Sequence, residues 1–387
     1  LGGWLTTEFS WRWAFGVNVP FGIAVVVGVW WTVTESASTR PVRLDLVGAL
    51  LAVLGAGSLV FALIQGRQIG WWDVREPVVV GAWSWPWAVS PTPAILGIAV
   101  LAIAGFIAWE RARDRRGAAT MLPLGLFTIR SFRNGNLVAM IVSLGELGLL
   151  FVLPLWLQNV LRYDALQTGF LLLALAIGSF LASGAVSGLS RRMSAVGILR
   201  LGVGLEFVAV LALGLLVRVD IGWVLLAAVL FAYGLGLGLA SAQVTNVVLA
   251  DVPIEESGRA SGMQSTSRQV GSALGIAILG TVLFESLAGF LDRAYQGLGG
   301  IDVAALAGAV VTSAGAAIPG LLDTPATAEA GRLAGEAFTH ATALTAYVAA
   351  AFLGVAFLAS LSLRPRAGAA IAQARDALGE TTPPAEA

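Results

Sequence analysis

The strongest constraint on this 387-residue chain is a series of apolar runs, each long enough to cross a lipid bilayer as a helix. A membrane-spanning helix needs about 20 consecutive, mostly apolar residues. Nine segments meet that length, and they predict an all-α polytopic membrane protein with about nine transmembrane helices. The predicted spans are 14–33, 46–64, 92–109, 137–157, 168–189, 196–217, 223–249, 264–284 and 341–363.

The composition indicates that lipid is the main solvent. Charged residues make up 12% of the chain, whereas a soluble domain carries about 25%. The chain has no Cys, which excludes disulfides and thiolate metal sites. Its formal net charge is zero, so no positive field favours nucleic acid as a partner. We expect neither a metal nor a cofactor.

The basic residues, all of them Arg, predict the direction of the spans, because cytoplasmic connections carry an excess of Lys and Arg. Alternate connections between the spans lie on the same side as the C-terminal tail. That side carries sixteen of the 23 basic residues, and the other side carries seven. The richer side is predicted to be cytoplasmic. The first residue is then external, the C-terminus is cytoplasmic, and the lipid bilayer of the cell membrane is the partner.

Two further apolar segments are interpreted as external connections and not as spans. Residues 77–89 are too short to cross, and they lie among Trp71, Trp72, Trp83, Trp85 and Trp87. Trp prefers the headgroup layer, so an interfacial loop is predicted. Residues 285–340 include an Ala-rich stretch, and we interpret them as a long external connection that is partly helical or disordered.

Several motifs along the chain resemble those of one transporter family. The chain opens on LGGW and WRWAFGVNVPFG, LDLVGALL follows at Leu44, and LPLWLQNVLRYDALQTGFLLL follows at Leu153. SGRASGMQSTSRQVGSALG comes later, at Ser257. In this order the motifs resemble major facilitator superfamily exporters, and more narrowly the fourteen-span drug/proton antiporter branch of the EmrB/QacA type.

The resemblance implies a domain organisation. Gly2 and Gly3 match the end of a motif in the fifth helix, so the chain resembles a family member shortened by about five helices. Residues 1–34 would hold the last helix of the N-terminal half, and 35–120 two linker helices with the Trp-rich loop. Residues 121–364 would form the six-helix C-terminal transport half, made of two three-helix repeats. Residues 365–387 would be a cytoplasmic tail.

Two carboxylates lie near the middle of predicted spans, at Glu146 and Glu206. Ionisable groups at this depth are costly, so they often have a function. A proton-coupled exporter needs a group that takes up a proton on one side and releases it on the other, and we assign both residues to proton coupling or substrate binding. In the alternative interpretation, each is a protonated Glu that only hydrogen-bonds a neighbouring helix.

Other polar residues are candidates for the cavity and its gate. Gln243, Thr245 and Asn246 either line a cavity or lie in water at the cytoplasmic end of their helix. Arg268 and Gln269 either pin a cytoplasmic gate or reach the headgroups. The turn SGLSRRMSAVGILRLG lacks the Asp of the family's loop motif, and it keeps two arginines as candidates for that motif: Arg191 and Arg192.

Gly271 and Gly275 form a Gly-x-x-x-Gly pair, which is typical of close helix packing in membranes. Enzymatic motifs such as His-Glu-x-x-His or Gly-x-Ser-x-Gly are absent from the sequence, and no catalytic residue is assigned.

These patterns favour a transmembrane transporter that performs proton-coupled efflux of lipophilic, often cationic compounds or small metabolites. It would work with protons and with a missing N-terminal half. A second hypothesis stays open, in which the chain is a non-transporting remnant or an assembly partner that needs a separate N-terminal half.

Overall fold

The computed structural model describes residues 2–32, 45–74, 78–80, 83–117, 120–122, 124–298 and 302–363. The predicted tail, 365–387, lies outside these residues. Six arginines from the count of basic residues also lie outside them: Arg40, Arg43, Arg75, Arg364, Arg366 and Arg375.

The described residues are mostly helical, in the following order. The helices are α1 (Gly2–Glu8), α2 (Trp11–Gly16), α3 (Asn18–Thr32), α4 (Leu46–Ile69), α5 (Thr92–Arg115), α6 (Arg130–Asn159), α7 (Ala165–Leu189), α8 (Ala195–Leu216), α9 (Trp223–Leu249), α10 (Ser257–Ala294), α11 (Val303–Thr312), α12 (Ile318–Asp323) and α13 (Ala328–Ser360).

The predicted number of spans is confirmed. Within the described residues, nine helical segments are long and apolar enough to cross a membrane. The first joins α2 and α3, the next seven are α4 to α10, and the ninth is α13. This predominantly helical architecture agrees with the predicted all-α fold class, and α9 has the predicted bounds.

The last two spans are longer than the hydropathy pattern predicts. α10 continues to Ala294 and α13 begins at Ala328, so much of the predicted connection 285–340 is helical, with α11 and α12 between. Hydropathy locates only the apolar middle of a helix. Polar ends continue it where propensity and side-chain pairs allow, as in the first turns of α13, where Arg332 pairs with Glu329 and Glu336.

The Trp-rich connection between α4 and α5 contains no helix in its described part. Val79–Val80 (β1) pairs antiparallel with Trp83–Ser84 (β2) in a short hairpin. The Ser90 hydroxyl donates to the carbonyl of Gly70 at 2.6 Å, and this bond closes the base of the connection. The Trp72 and Trp87 side chains are exposed, as expected of residues at a membrane surface.

Six helices, α6 to α10 and α13, form a bundle that contains most of the buried core. α6 packs against α10 and α13, α7 against α9, and α8 against α9 and α13. The largest buried side chain is Trp156 of α6, and its indole nitrogen donates to the Thr339 hydroxyl of α13 at 3.0 Å. At one end of the bundle, Arg200 of α8 donates to the carbonyl of Leu363 at 2.6 Å.

Glycines let the bundle helices approach each other closely. A Cβ on Gly271 or Gly275 of α10 would overlap the carbonyls of Met140 and Leu144 on α6. From the other side, a Cβ on Gly148 would overlap the carbonyl of Gly275. In lipid, helix association depends on this kind of close packing, because burying apolar surface gains little there. We call these contacts the α6–α10 seam.

Polar contacts join α4 to α5 and tie the segment after α5 to the bundle. Asp45 accepts from the Gly48 backbone at 2.9 Å and from the Trp109 indole at 3.0 Å, and it lies 3.3 Å from Arg113. Burial would raise the pKa of Asp45, but these hydrogen bonds and the Arg113 charge outweigh it, so its pKa lies below the ordinary value. Arg259 of α10 donates to the carbonyl of Thr120 at 2.9 Å.

The α6–α10 seam predicts opposite effects for two Gly→Ala substitutions on one helix. Gly275→Ala should lower the free energy of unfolding by about 1–3 kcal/mol, because the added Cβ overlaps α6. Gly262→Ala is the matched control. Its Cβ meets nothing within 4 Å, so the higher helix propensity of Ala should stabilise the protein by up to about 1 kcal/mol. Unfolding by SDS, followed by circular dichroism, measures both. Equal effects would contradict the seam.

Candidate functional site

Glu146 lies inside the bundle on α6 and is 3% exposed. One of its carboxylate oxygens, Oε1, has no hydrogen-bond partner among the described residues. The Glu146 side chain borders a small cavity with residues of α8 and α9, on the side of α6 away from the glycines of α10, and is enclosed by protein there. Buried polar groups normally have partners, so this unpartnered oxygen sets Glu146 apart from an ordinary core residue.

Glu206 of α8 is fully enclosed, and neither of its carboxylate oxygens has a hydrogen-bond partner among the described residues. Gly236 of α9 makes room for it, since a Cβ there would lie 2.8 Å from the Glu206 Cγ. Glu206 interacts electrostatically with Glu146, although the two belong to different helices. The structure therefore brings the two sequence-predicted carboxyls into one neighbourhood.

Tyr233 of α9 completes this group. It is 2% exposed, its hydroxyl has no hydrogen-bond partner among the described residues, and it interacts electrostatically with both carboxyls. The sequence analysis missed Tyr233. A signal was available, because Tyr in membrane helices prefers the interface and this one lies near the middle of a span. We call Glu146, Glu206 and Tyr233 the buried acidic group.

Arg268 of α10 connects the buried acidic group to a more open space. Its Nε donates to the Ser143 hydroxyl of α6 at 3.3 Å, and its charge acts on Glu146. Arg268, Ser143 and Glu146 line one small cavity together with residues of α8 and α9. Arg268 also lines a separate cleft. The guanidinium thus stands between the two spaces.

The cleft lies between α4, α6, α9 and α10 and has a volume of about 690 Å³. That volume falls within the range of about 300–1,000 Å³ that is usual for small-molecule sites. Val60 and Ile64 of α4 and Leu147 of α6 contribute apolar walls. The polar lining comes mostly from α10 and consists of Thr245, Gln264, Ser265, Arg268, Gln269 and Ser272.

The other predicted polar residues of α9 and α10 fall into two groups. Thr245 and Gln269 line the cleft, and the Thr245 hydroxyl accepts from the Gln264 amide at 3.0 Å. Gln243 is buried and accepts from the Asn246 amide at 3.3 Å, and neither residue lines the cleft.

Arg191 and Arg192 are exposed in the turn between α7 and α8, and they line neither the cavity nor the cleft. Over the residues that the structure describes, no three His, Cys, Asp or Glu side chains come together to hold a metal ion.

Comparison with known proteins places this architecture in a family. The sequence profile of the Major Facilitator Superfamily matches residues 39–276. The multidrug resistance protein Stp of Mycobacterium tuberculosis is 32% identical over 295 residues, which cover 76% of this chain and 50% of that protein. A probable actinorhodin transporter of Streptomyces coelicolor is 34% identical over 292 residues, which cover 72% of this chain and 46% of that protein.

A third relative is the tetracenomycin C resistance and export protein of Streptomyces glaucescens. It is 29% identical over 285 residues, which cover 73% of this chain and 49% of that protein. The chain therefore spans about half the length of the curated relatives that it matches.

Two fully buried glutamates give a stability test of the site. Glu206→Leu removes oxygens that have no partner, so the free energy of unfolding should stay the same or rise by about 1–3 kcal/mol. Glu110→Leu is the matched control. Its oxygens accept from the backbone N–H groups of Met121 at 3.3 Å and Leu122 at 2.9 Å, so a loss of about 1–3 kcal/mol is expected. SDS unfolding compares the two. A larger loss for Glu206→Leu would mean that its oxygens are well satisfied.

Proposed function

Because the chain belongs to the Major Facilitator Superfamily, we propose that it carries the C-terminal transport half and the linker helices of a proton-coupled exporter of lipophilic drugs or small metabolites. With nine spanning helices in its described part, it is a multi-pass membrane protein. The distribution of Arg supports a plasma-membrane orientation with the first residue external and the C-terminus cytoplasmic. The proposed activity is transport and not catalysis.

One observation carries this proposal. Glu146 is enclosed in the bundle with an unpartnered oxygen, and the arginine beside it also lines an open cleft of drug-like volume. Antiport needs a proton carrier that is shut off from water in one state and reached by water in another. A small displacement of Arg268 would join the inner cavity to the cleft, which would expose Glu146 to protons from that side.

Glu206 and Tyr233 have a supporting role in this proposal. They are two further buried groups that can hold or pass a proton, and both interact electrostatically with Glu146. Thr245 and Gln269 contribute hydrogen-bonding groups to the substrate side, Gln243 and Asn246 support the end of α9, and Arg191 and Arg192 belong to a cytoplasmic loop.

The α2–α3 span supports a requirement for further helices. It has no buried residue within this chain, although its apolar surface is long enough to cross the bilayer. Alternating access needs two halves that move around one site. We therefore propose that transport requires an N-terminal half in addition to the helices of this chain.

Glu146→Gln should abolish proton-driven dye efflux, because an amide keeps the size of the side chain but exchanges no proton. The variant is placed in the full open reading frame that encodes the chain, and efflux is followed by dye fluorescence in everted vesicles. Glu255→Gln is the matched control, since Glu255 is exposed in the short 3₁₀-helix before α10 and should leave efflux unchanged. Wild-type efflux by a fully inserted Glu146→Gln protein would rule out the assigned role.

The open hypothesis of an assembly partner makes a separate prediction. Expressed alone, residues 1–387 should insert into the membrane, and dye efflux should stay at background, because alternating access needs a second half. Efflux should appear when the complete reading frame, or a separate N-terminal half, is expressed with it. Proton-driven efflux by the 387-residue chain alone would contradict the need for further helices.

A further inference from the structure

The chemistry of the cleft differs from what a cation would require. Among the described residues that line it, none is acidic, and Arg268 is the one charged side chain. Glu146, a carboxyl that interacts electrostatically with Arg268, borders the inner cavity instead. An organic cation in the cleft would therefore face a positive charge without a carboxylate to offset it.

The one charged group of the cleft is an obligate hydrogen-bond donor, and the polar side chains around it can donate as well. Arg268 can only donate, and its single hydrogen bond among the described residues uses Nε, which leaves the two terminal nitrogens for a ligand. Gln264 is 4% exposed and is held by its bond to Thr245, so part of this polar lining is fixed and buried. Gln269 and Ser272 add amide and hydroxyl donors beside it.

From this lining we infer that the cleft binds the oxygen-rich face of a lipophilic compound, carrying a carboxylate, phenolate or polarised carbonyl, in preference to a cation. The oxygens would pair with the Arg268 guanidinium, which matches carboxylate-like groups in a two-point geometry. The carbon skeleton would lie against Val60, Ile64 and Leu147. The inference rests on the proposed transport function, and it names the substrate class for the same site.

This assignment gives Arg268 a place in coupling. The arginine that would receive the substrate oxygen also acts electrostatically on Glu146 and contacts Ser143. A negatively charged oxygen that pairs with Arg268 changes the electrostatic potential at the Glu146 carboxyl. In return, a change of charge at Glu146 changes the electrostatic attraction that it exerts on the Arg268 guanidinium. The coupling between two sites is reciprocal, so substrate and proton would influence each other through this one side chain.

Two probes with one fluorophore test the substrate class. Dansylglycine carries a carboxylate and dansyl-ethylenediamine an ammonium group, and each is titrated into the purified 387-residue chain in nanodiscs of zwitterionic lipid. We expect the anion to bind about tenfold more tightly, which is the size of one charge-assisted contact. Arg268→Gln should remove that difference, whereas Arg191→Gln, an exposed arginine outside the cleft, should keep it.

The outcomes separate the inference from the proposed function. Equal or tighter binding of the cationic probe to the wild-type chain overturns the inference, as does an anion affinity that Arg268→Gln leaves unchanged. In another outcome, the anion binds in an Arg268-dependent way while the protein from the complete reading frame shows no proton-driven efflux. That result would reject the transport proposal and leave the inferred binding site standing. If Arg268→Gln does not fold, Arg268→Lys and Gln269→Leu should each lower the affinity for dansylglycine severalfold. An unchanged affinity in both variants overturns the inference.

Discussion

The close approach of α6 and α10 is the constraint on which the rest of the site depends. Gly271 and Gly275 place the α10 backbone against the carbonyls of Met140 and Leu144. Arg268 lies one turn before the first of these glycines, and Ser143 lies between the two carbonyls in sequence. The same contact that holds the helices together therefore brings the Arg268 guanidinium to Ser143 and Glu146. A side chain larger than hydrogen at either glycine would move the cation away from the carboxyl.

The second feature of the site is the set of buried polar atoms without partners. The side chain of Tyr233 interacts electrostatically with those of Glu146 and Glu206. Among the described residues, no hydrogen-bond partner is found for one oxygen of Glu146, for either oxygen of Glu206 or for the Tyr233 hydroxyl. Groups of this kind lower stability, and a purely structural core would replace them with apolar side chains. Glu110 shows how this chain satisfies a buried carboxyl when the role is structural, through two backbone N–H groups. The contrast between the glutamates supports a working role for the acidic group.

Hydropathy predicted the nine spans, because about 20 apolar residues in a row have few alternatives to a membrane helix. It missed the polar ends of α10 and α13, where helix propensity and ion pairs continue the helix beyond its apolar middle. Glu146 and Glu206 were found because a charge inside a span stands out in sequence. Their proximity was not predictable, since it depends on how α6, α8 and α9 are rotated about their axes. Ser143 was missed because Ser is common in membrane helices and only packing brings it to Arg268. Tyr233 was missed although its position near the middle of a span was a signal in the sequence.

Under the proposed function, Arg268 links substrate and proton without a long path between them. A ligand shifts a conformational equilibrium only through contacts that differ between the states. In this chain one guanidinium borders both the space beside Glu146 and the cleft, so any movement of α10 against α6 changes both environments at once. The α4–α5 pair participates as well, because α4 forms a wall of the cleft while Arg259 of α10 contacts the segment that follows α5. Under the proposed function, the linker helices therefore restrict the motion of the helix that carries the coupling arginine.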